Sequence, residues 1–161
     1  GAIGIEARSR GARRAVFVDA SPEALKIIQK NLELCRFADR ATVLKTKLPD
    51  DLKTVARKSG IEAFDLIFVD PPYDKDLVNP SLEALTRHRL LAPKGRVIVE
   101  HSPREMIASE YRLDRIHSVQ PNAASDEAVV DQMGFQWRAV SPLTLYDQRK
   151  YGQTVISFLK G

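Results

Sequence analysis

The sequence predicts an α/β fold built on a parallel sheet with helices on both faces. Two apolar runs end on an aspartate, helices with clear start and stop signals lie between the strands, and the two kinds of element alternate at short intervals. Ala15-Val16-Phe17-Val18 is a buried-strand run ending at Asp19. Ser21-Pro22-Glu23 then opens a helix, with serine as cap, proline in the first position and an acid in the first turn. Leu25, Ile28, Leu32 and Cys35 follow at helical spacing, which places one face, the cysteine included, in the core. Ala41-Thr42-Val43-Leu44 is the next strand, and Pro49 to Lys58 a helix stopped by Gly60. Phe64 to Val69 is apolar at five of six positions and ends at Asp70. A helix from Ser81 to Leu91 closes at Pro93 and Gly95, and Arg96 to Glu100 is a further strand. The last third loses this rhythm: strands are expected at 112–119 and 154–159, with a helix over 126–133 and the aromatic pair Phe135 and Trp137 between them. So long a connection in a compact domain signals function or mobility.

Length and composition set bounds. A chain of 161 residues with 43% hydrophobic content suits one domain, 1–161, with a core that needs no staples. Lys and Arg total 25 against 21 Asp and Glu, a net charge of +4 that is compatible with nucleic acid without demanding it. The single cysteine, Cys35, excludes an intramolecular disulfide framework and a multi-cysteine metal site. His88, His101 and His117 lack metal-ligand spacing, so no metal is expected. With no apolar run near the length of a membrane span and no signal-peptide pattern at the start, a soluble, cytoplasmic monomer is expected.

In an open α/β sheet, ligands bind outside the carboxyl ends of the strands. Asp19 sits at such an end, after a strand that follows a glycine-containing turn, Gly1-Ala2-Ile3-Gly4, an arrangement that resembles a nucleotide site. The same aspartate would serve as well to cap the helix that follows. Asp70-Pro71-Pro72-Tyr73 is more specific, arising by chance in roughly one chain of this length in a thousand. An exocyclic amine on a nucleobase has its lone pair delocalised into the ring and is a poor nucleophile. A carboxylate and a backbone carbonyl accepting its two hydrogens would localise and aim that pair. Consecutive prolines hold the backbone extended and leave carbonyls free for this role. Tyr73 offers a face on which an extruded base can stack.

Gly-Ala-Ile-Gly-Ile-Glu-Ala (1–7), Ser-Arg-Gly-Ala (9–12), Phe-Val-Asp (17–19), Asp-Pro-Pro-Tyr (70–73), Val-Glu-His-Ser (99–102) and Tyr-Gly-Gln-Thr (151–154) follow in one order. Together they resemble the bacterial small-subunit (16S) ribosomal RNA guanine-N2 methyltransferase family. Asp-Pro-Pro-Tyr is shared with other amino-methyltransferases, and the opening block and Val-Glu-His-Ser favour the ribosomal RNA branch. The resemblance implies a Rossmann-like class I methyltransferase sandwich with a mostly parallel seven-stranded sheet and an antiparallel last strand. It implies S-adenosylmethionine as methyl donor and small-subunit rRNA, or the assembled small ribosomal subunit, as partner. On this carry-over Gly1, Ala2, Asp19, Ala20, Leu48 and Asp70 contact the cofactor. Gly1 lies in the loop beside its methionine part, Asp19 on the ribose hydroxyls and Ala20 near the adenine. Asp70 and the Pro71 carbonyl would hold the target amine, and Pro72 and Tyr73 complete the catalytic segment. The family's first strand, ending in Asp-x-Phe-Ala-Gly-Ser, precedes the position of Gly1, so the domain is expected to be incomplete at this end. Where the family has an acid that approaches the adenine amine, Lys45-Thr46-Lys47-Leu48 stands here.

Arg8, Arg10, Arg13 and Arg14 crowd the opening and would suit RNA phosphates or simply solvate a helix face. Arg149 and Lys150 pose the same choice at a strand entrance. His101 is expected in a hydrogen-bonded structural role and Trp137 in aromatic packing. Two other functions share parts of this pattern: adenine-N6 methylation of DNA, which uses the same tetrapeptide, and a non-catalytic RNA-binding scaffold on a methyltransferase-like fold.

Overall fold

The computed structural model describes residues 1–112, 129–130, 136–137 and 142–161. Strands β1 (Ala15–Asp19) and β2 (Ala41–Lys45) pair in parallel, with Ala15 opposite Ala41 and Asp19 opposite Lys45. A five-stranded sheet follows the order β3-β4-β9-β8-β5, made of β3 (Phe64–Val69), β4 (Leu91–His101), β5 (Glu110–Tyr111), β8 (Leu143–Tyr151) and β9 (Thr154–Lys160). Of its pairings only β3 with β4 is parallel. The expected antiparallel last strand is β9, but the sheet is mixed rather than mostly parallel. The long hairpin β8–β9 supplies two strands on that side, and among the described residues β1 and β3 each have a single partner. β6 (Val129–Val130) and β7 (Gln136–Trp137) form a separate antiparallel pair.

The helix α2 (Pro22–Leu34) forms as its signals dictate, with Ser21 Oγ accepting from the Ala24 N–H at 3.2 Å. Its Ile28 and Leu32 join Phe17 in a buried cluster against α1 (Ala2–Ser9), β1 and β2. Cys35 is a correction: the helix ends at Leu34, so this residue is the C-cap and lies exposed rather than in the core. The opening glycines also differ from the expected turn. Gly1 is the N-cap of α1 and Gly4 lies within it. A Cβ on Gly4 would collide with the ring of Phe17, so the missing side chain is what lets α1 lie against β1.

Helix α3 covers Leu52–Ser59 and starts after a turn through Pro49 and Asp51; Gly60 ends it with φ +65°. Helix α4 spans Val78–Arg87, earlier than its apolar pattern suggests. Pro80 sits in its first turn, where a missing N–H has no helical acceptor to lose. Arg89, with φ +52°, turns the chain straight into β4. Leu52, Val55, Val78, Leu82, Leu85, Val97, Val99 and Leu159 form the main core, and Val16, Val18 and Leu44 pack on it from the two-stranded sheet, with Leu48 from the turn after β2. One core thus backs both sheets.

Of the strand expected over 112–119 only Arg112 is described, and it is not strand but follows β5 (Glu110–Tyr111); 113–119 lie outside the described residues. The helix expected over 126–133 is overturned at Val129–Val130, which are strand; the rest of that span, Phe135 and His117 lie outside the described residues. Strand β8 was not expected. Its alternation of Leu143 and Leu145 breaks at a bulge between Leu145 and Asp147, after which charged residues follow, so period-2 reading fails there. Arg149 and Lys150 therefore lie within a strand, not at its entrance.

Candidate active site

Asp70 follows β3 directly, and the register of β3 on β4 pairs Val69 with Val99. Asp70 and Glu100 are hence equivalent positions at the carboxyl end of neighbouring parallel strands, about 4.8 Å apart in the sheet. Side chains alternate along a strand, so Val97, Val99 and His101 face the core while Ile98 and Glu100 face away from it. In the antiparallel pair, Glu100 lies opposite Ile156, which brings Thr154, two residues on, to the same face. Gly152, at φ +61°, forms the tight turn that delivers Thr154 from β8.

Tyr73 closes over this face. Its hydroxyl donates to Glu100 Oε1 at 3.1 Å and meets Thr154 Oγ1 at 3.0 Å. With the carboxylate accepting, the Thr154 hydroxyl is left to donate to the Tyr73 oxygen. The phenol hydroxyl is fixed from two strands while the residue as a whole stays 41% exposed. The loop between Tyr73 and α4 is anchored in turn. Glu105 Oε1 accepts from the Val78 N–H at 3.1 Å at the start of α4, and Asn79 Nδ2 donates to the Met106 carbonyl at 2.8 Å. The Asp70 carboxyl is held above its ordinary value, first by desolvation and next by the negative charge of Glu100.

On His101 the opposite pleat face takes hold. This residue is 2% exposed; its Nδ1 lies 2.9 Å from the Ser102 carbonyl and its Nε2 2.8 Å from Ser157 Oγ. Gln148 Nε2 donates to the same serine oxygen at 2.8 Å. The structural role expected for this histidine is the observed one.

Asp19 gives one oxygen to the Ser21 N–H at 2.8 Å, and Ser21 itself caps α2, so the capping role does not consume the carboxylate. Beside it, Ala20, Lys45, Thr46, Lys47, Asp51, Thr54 and Lys58 line a cleft of about 450 Å³ at the carboxyl ends of β1 and β2. Asp70 is not in its lining. Leu48 packs on the main core, and it is Lys45, Thr46 and Lys47 that face the cleft. Ala2 is exposed in the first turn of α1. Arg8 lies 5.3 Å over the Phe37 ring and Arg10 pairs with Glu6 at 2.5 Å. Arg14 donates to the Ser59 carbonyl at 2.7 Å. Arg149 pairs with Asp147 at 2.9 Å and stacks 5.2 Å from the Phe158 ring, while Lys150 is exposed. Among the described residues no cluster of three or more His, Cys, Asp or Glu could hold a metal ion, and no helix is long and apolar enough to cross a membrane.

Glu100 and Thr154 carry no role in the sequence reading, although both lie in the quoted segments Val-Glu-His-Ser and Tyr-Gly-Gln-Thr. Glu100 ends an apolar run just as Asp19 and Asp70 do, and that signal was available.

The layers, the strand-end acids and the aromatic loop define a class I methyltransferase-like α/β fold, and solved structures agree. A conserved hypothetical protein of Streptococcus pyogenes superposes with a TM-score of 0.70 at 24% identity, over 98% of this chain and 77% of its own. A candidate methylase of Haemophilus influenzae does so with a TM-score of 0.64 at 19% identity, over 99% and 80%. The chain belongs to the family described as conserved hypothetical protein 95, which it matches over residues 1–125. Its relatives include a candidate rRNA methyltransferase of Bacillus subtilis, YlbH, 30% identical over 63% of this chain and 54% of that protein. Ribosomal RNA small subunit methyltransferase D of Haemophilus influenzae is 28% identical over 62% and 51%. The chain thus spans about half the length of the curated relatives it matches. An RNA methyltransferase of Salinibacter ruber, solved with S-adenosyl-L-homocysteine, shares the fold with a TM-score of 0.54 at 16% identity, over 99% of this chain and 73% of its own.

Proposed function

We propose that the protein transfers a methyl group from S-adenosylmethionine to the exocyclic N2 amine of a guanine in small-subunit rRNA. The observation that carries this reading is the Asp70–Tyr73 segment at the end of β3, its tyrosine hydroxyl held by Glu100 and Thr154.

The chain's own features fit the donor. A Cβ on Gly1 would come within 2.9 Å of Ile28, so the start of α1 lies close against α2 and has no room there for a side chain. Asp19 keeps one carboxylate oxygen without a partner among the described residues, suited to a ribose hydroxyl. The neighbouring cleft offers room for a heterocycle near Ala20. S-adenosylmethionine, when bound, supplies a methyl group on an electrophilic sulfonium. The protein's part is positioning and charge. Asp70 and the Pro71 carbonyl accept the two amine hydrogens and direct the nitrogen lone pair. Tyr73 stacks on the base. On methylation, with the carbon–sulfur bond of the donor broken, the amine nitrogen would shed a proton, and the Asp70 carboxylate would be the base to take it.

Labelled methyl transfer to undermethylated small ribosomal subunits, followed by nucleoside digestion, tests the reading. Label in N2-methylguanosine is expected. Label in N6-methyladenosine would replace guanine by adenine as target, and no label together with no heat of S-adenosylmethionine binding would favour the scaffold.

A further inference from the structure

We infer that Glu100 is the group that selects guanine over other purines at this site, by accepting the N1–H of the base whose amine Asp70 holds. The inference rests on the proposed function and adds a residue and a selection rule to it.

The Watson–Crick edge of guanine presents donor hydrogens on N2 and N1, both bonded to C2, with the O6 acceptor beyond them. An adenine edge presents its amine beside an unprotonated N1. A site made for an amine alone needs two acceptors, which Asp70 and the Pro71 carbonyl supply. The register places a second carboxylate at the equivalent position on the next strand, on the same face and under the same tyrosine. Tyr73 occupies only Oε1 of Glu100, and Oε2 has no hydrogen-bond partner among the described residues. Neither Asp70 nor Glu100 has an ion-pair partner among the described residues. The Asp70 carboxyl is raised first by desolvation and next by the charge of Glu100, so the two strand-end acids sense each other. The two carboxylates match the part of a base edge where an amine and a ring N–H lie next to each other. An edge with a lone pair at N1 would instead face Oε2 acceptor to acceptor, and a buried polar mismatch of this kind is what separates bases in direct readout.

The second bond of Glu100 explains why the carboxylate can do this on a strand end. Its Oε1 is pinned by the Tyr73 hydroxyl, which Thr154 also holds, so stacking face and reading group move as one. Thr154 is therefore a positioning residue.

The test compares two synthetic RNAs, one with guanosine at the target position and one with 2,6-diaminopurine riboside. The analogue keeps the N2 amine but has an unprotonated N1. The full chain is expected to favour guanosine by on the order of ten- to hundredfold in kcat/KM. Glu100→Gln preserves size and the acceptor for Tyr73, while its amide can turn a donor toward N1, so the preference should fall to within about threefold of unity. The same ratio is read from equilibrium binding of the two RNAs in the presence of S-adenosylhomocysteine, so loss of turnover in the variant does not hide it. A preference unchanged in Glu100→Gln, with guanosine methylated by the parent, overturns the role of Glu100 and leaves the proposed function standing. If the parent modifies N2 in neither RNA, the function itself falls and the inference with it.

Discussion

Removing one hydroxyl, in Ser157→Ala, should cost the fold more than its size suggests. The Ser102 carbonyl can only accept, so His101 Nδ1 carries the proton and Nε2 is a bare lone pair. The Ser157 O–H must then donate to Nε2, while its oxygen accepts from Gln148. Ser157 is 0% exposed and His101 2%, so no water replaces the lost donor and one acceptor is left buried without a partner. Such a group costs about 1–3 kcal/mol. For a domain of this size that lowers the melting temperature by roughly 2–12 °C. Gln148 is exposed, so Gln148→Ala frees nothing that solvent cannot satisfy and should change stability by no more than about 0.5 kcal/mol. Calorimetry or urea unfolding of the two variants beside the parent reads both values. The directional chain would be refuted if Ser157→Ala unfolded with the parent or if Gln148→Ala cost as much as Ser157→Ala.

Asp70→Asn should lose methyl transfer by on the order of a hundredfold or more while melting slightly above the parent at neutral pH. The sign follows from the carboxyl being raised in the folded state: its ionised form is disfavoured there, so the gain is full at neutral pH. It disappears as pH falls through the folded value to below the ordinary aspartate range. A variant that melts lower at neutral pH, or a gain that grows on acidification, would contradict this. Gly4→Ala should destabilise by about 1–3 kcal/mol, because the added methyl meets the Phe17 ring. Denaturant unfolding checks it, and Gly11→Ala is not an equivalent control since Gly11 has φ +101°.

The parts of this fold that were legible in the sequence are those where one local rule decides. Ser21-Pro22-Glu23 forms the start of α2 as capping chemistry requires, and Phe64–Val69 is the strand its apolar run describes. Boundaries set by backbone handedness were not legible. Arg89 adopts φ +52°, and so ends α4 before its apolar pattern runs out and lets β4 begin at Leu91. Strand β8 was hidden by the bulge at Leu145–Asp147, where two residues face one and the alternation changes phase. The site divides in the same way. Asp70 to Tyr73 stands out as a contiguous string, whereas Glu100 and Thr154 join it only through the pairing of β3, β4 and β9, a fact about which strands are neighbours. Cys35 shows the converse error: helical spacing extended one residue past the end of its helix.

Glu100 and His101 are consecutive, yet the pleat sends one to the ligand face and the other into the core. This gives the protein two separately adjustable surfaces on one stretch of backbone. Changes at Asp70, Glu100 and Thr154 can retune what the site accepts without opening a cavity. Changes at Val97, Val99 and Ser157 can harden or soften the domain without entering the reaction. A laboratory evolution experiment on this chain should accordingly find thermostable and base-switched variants in two interleaved, odd and even sets of positions along β4, and be able to combine them freely.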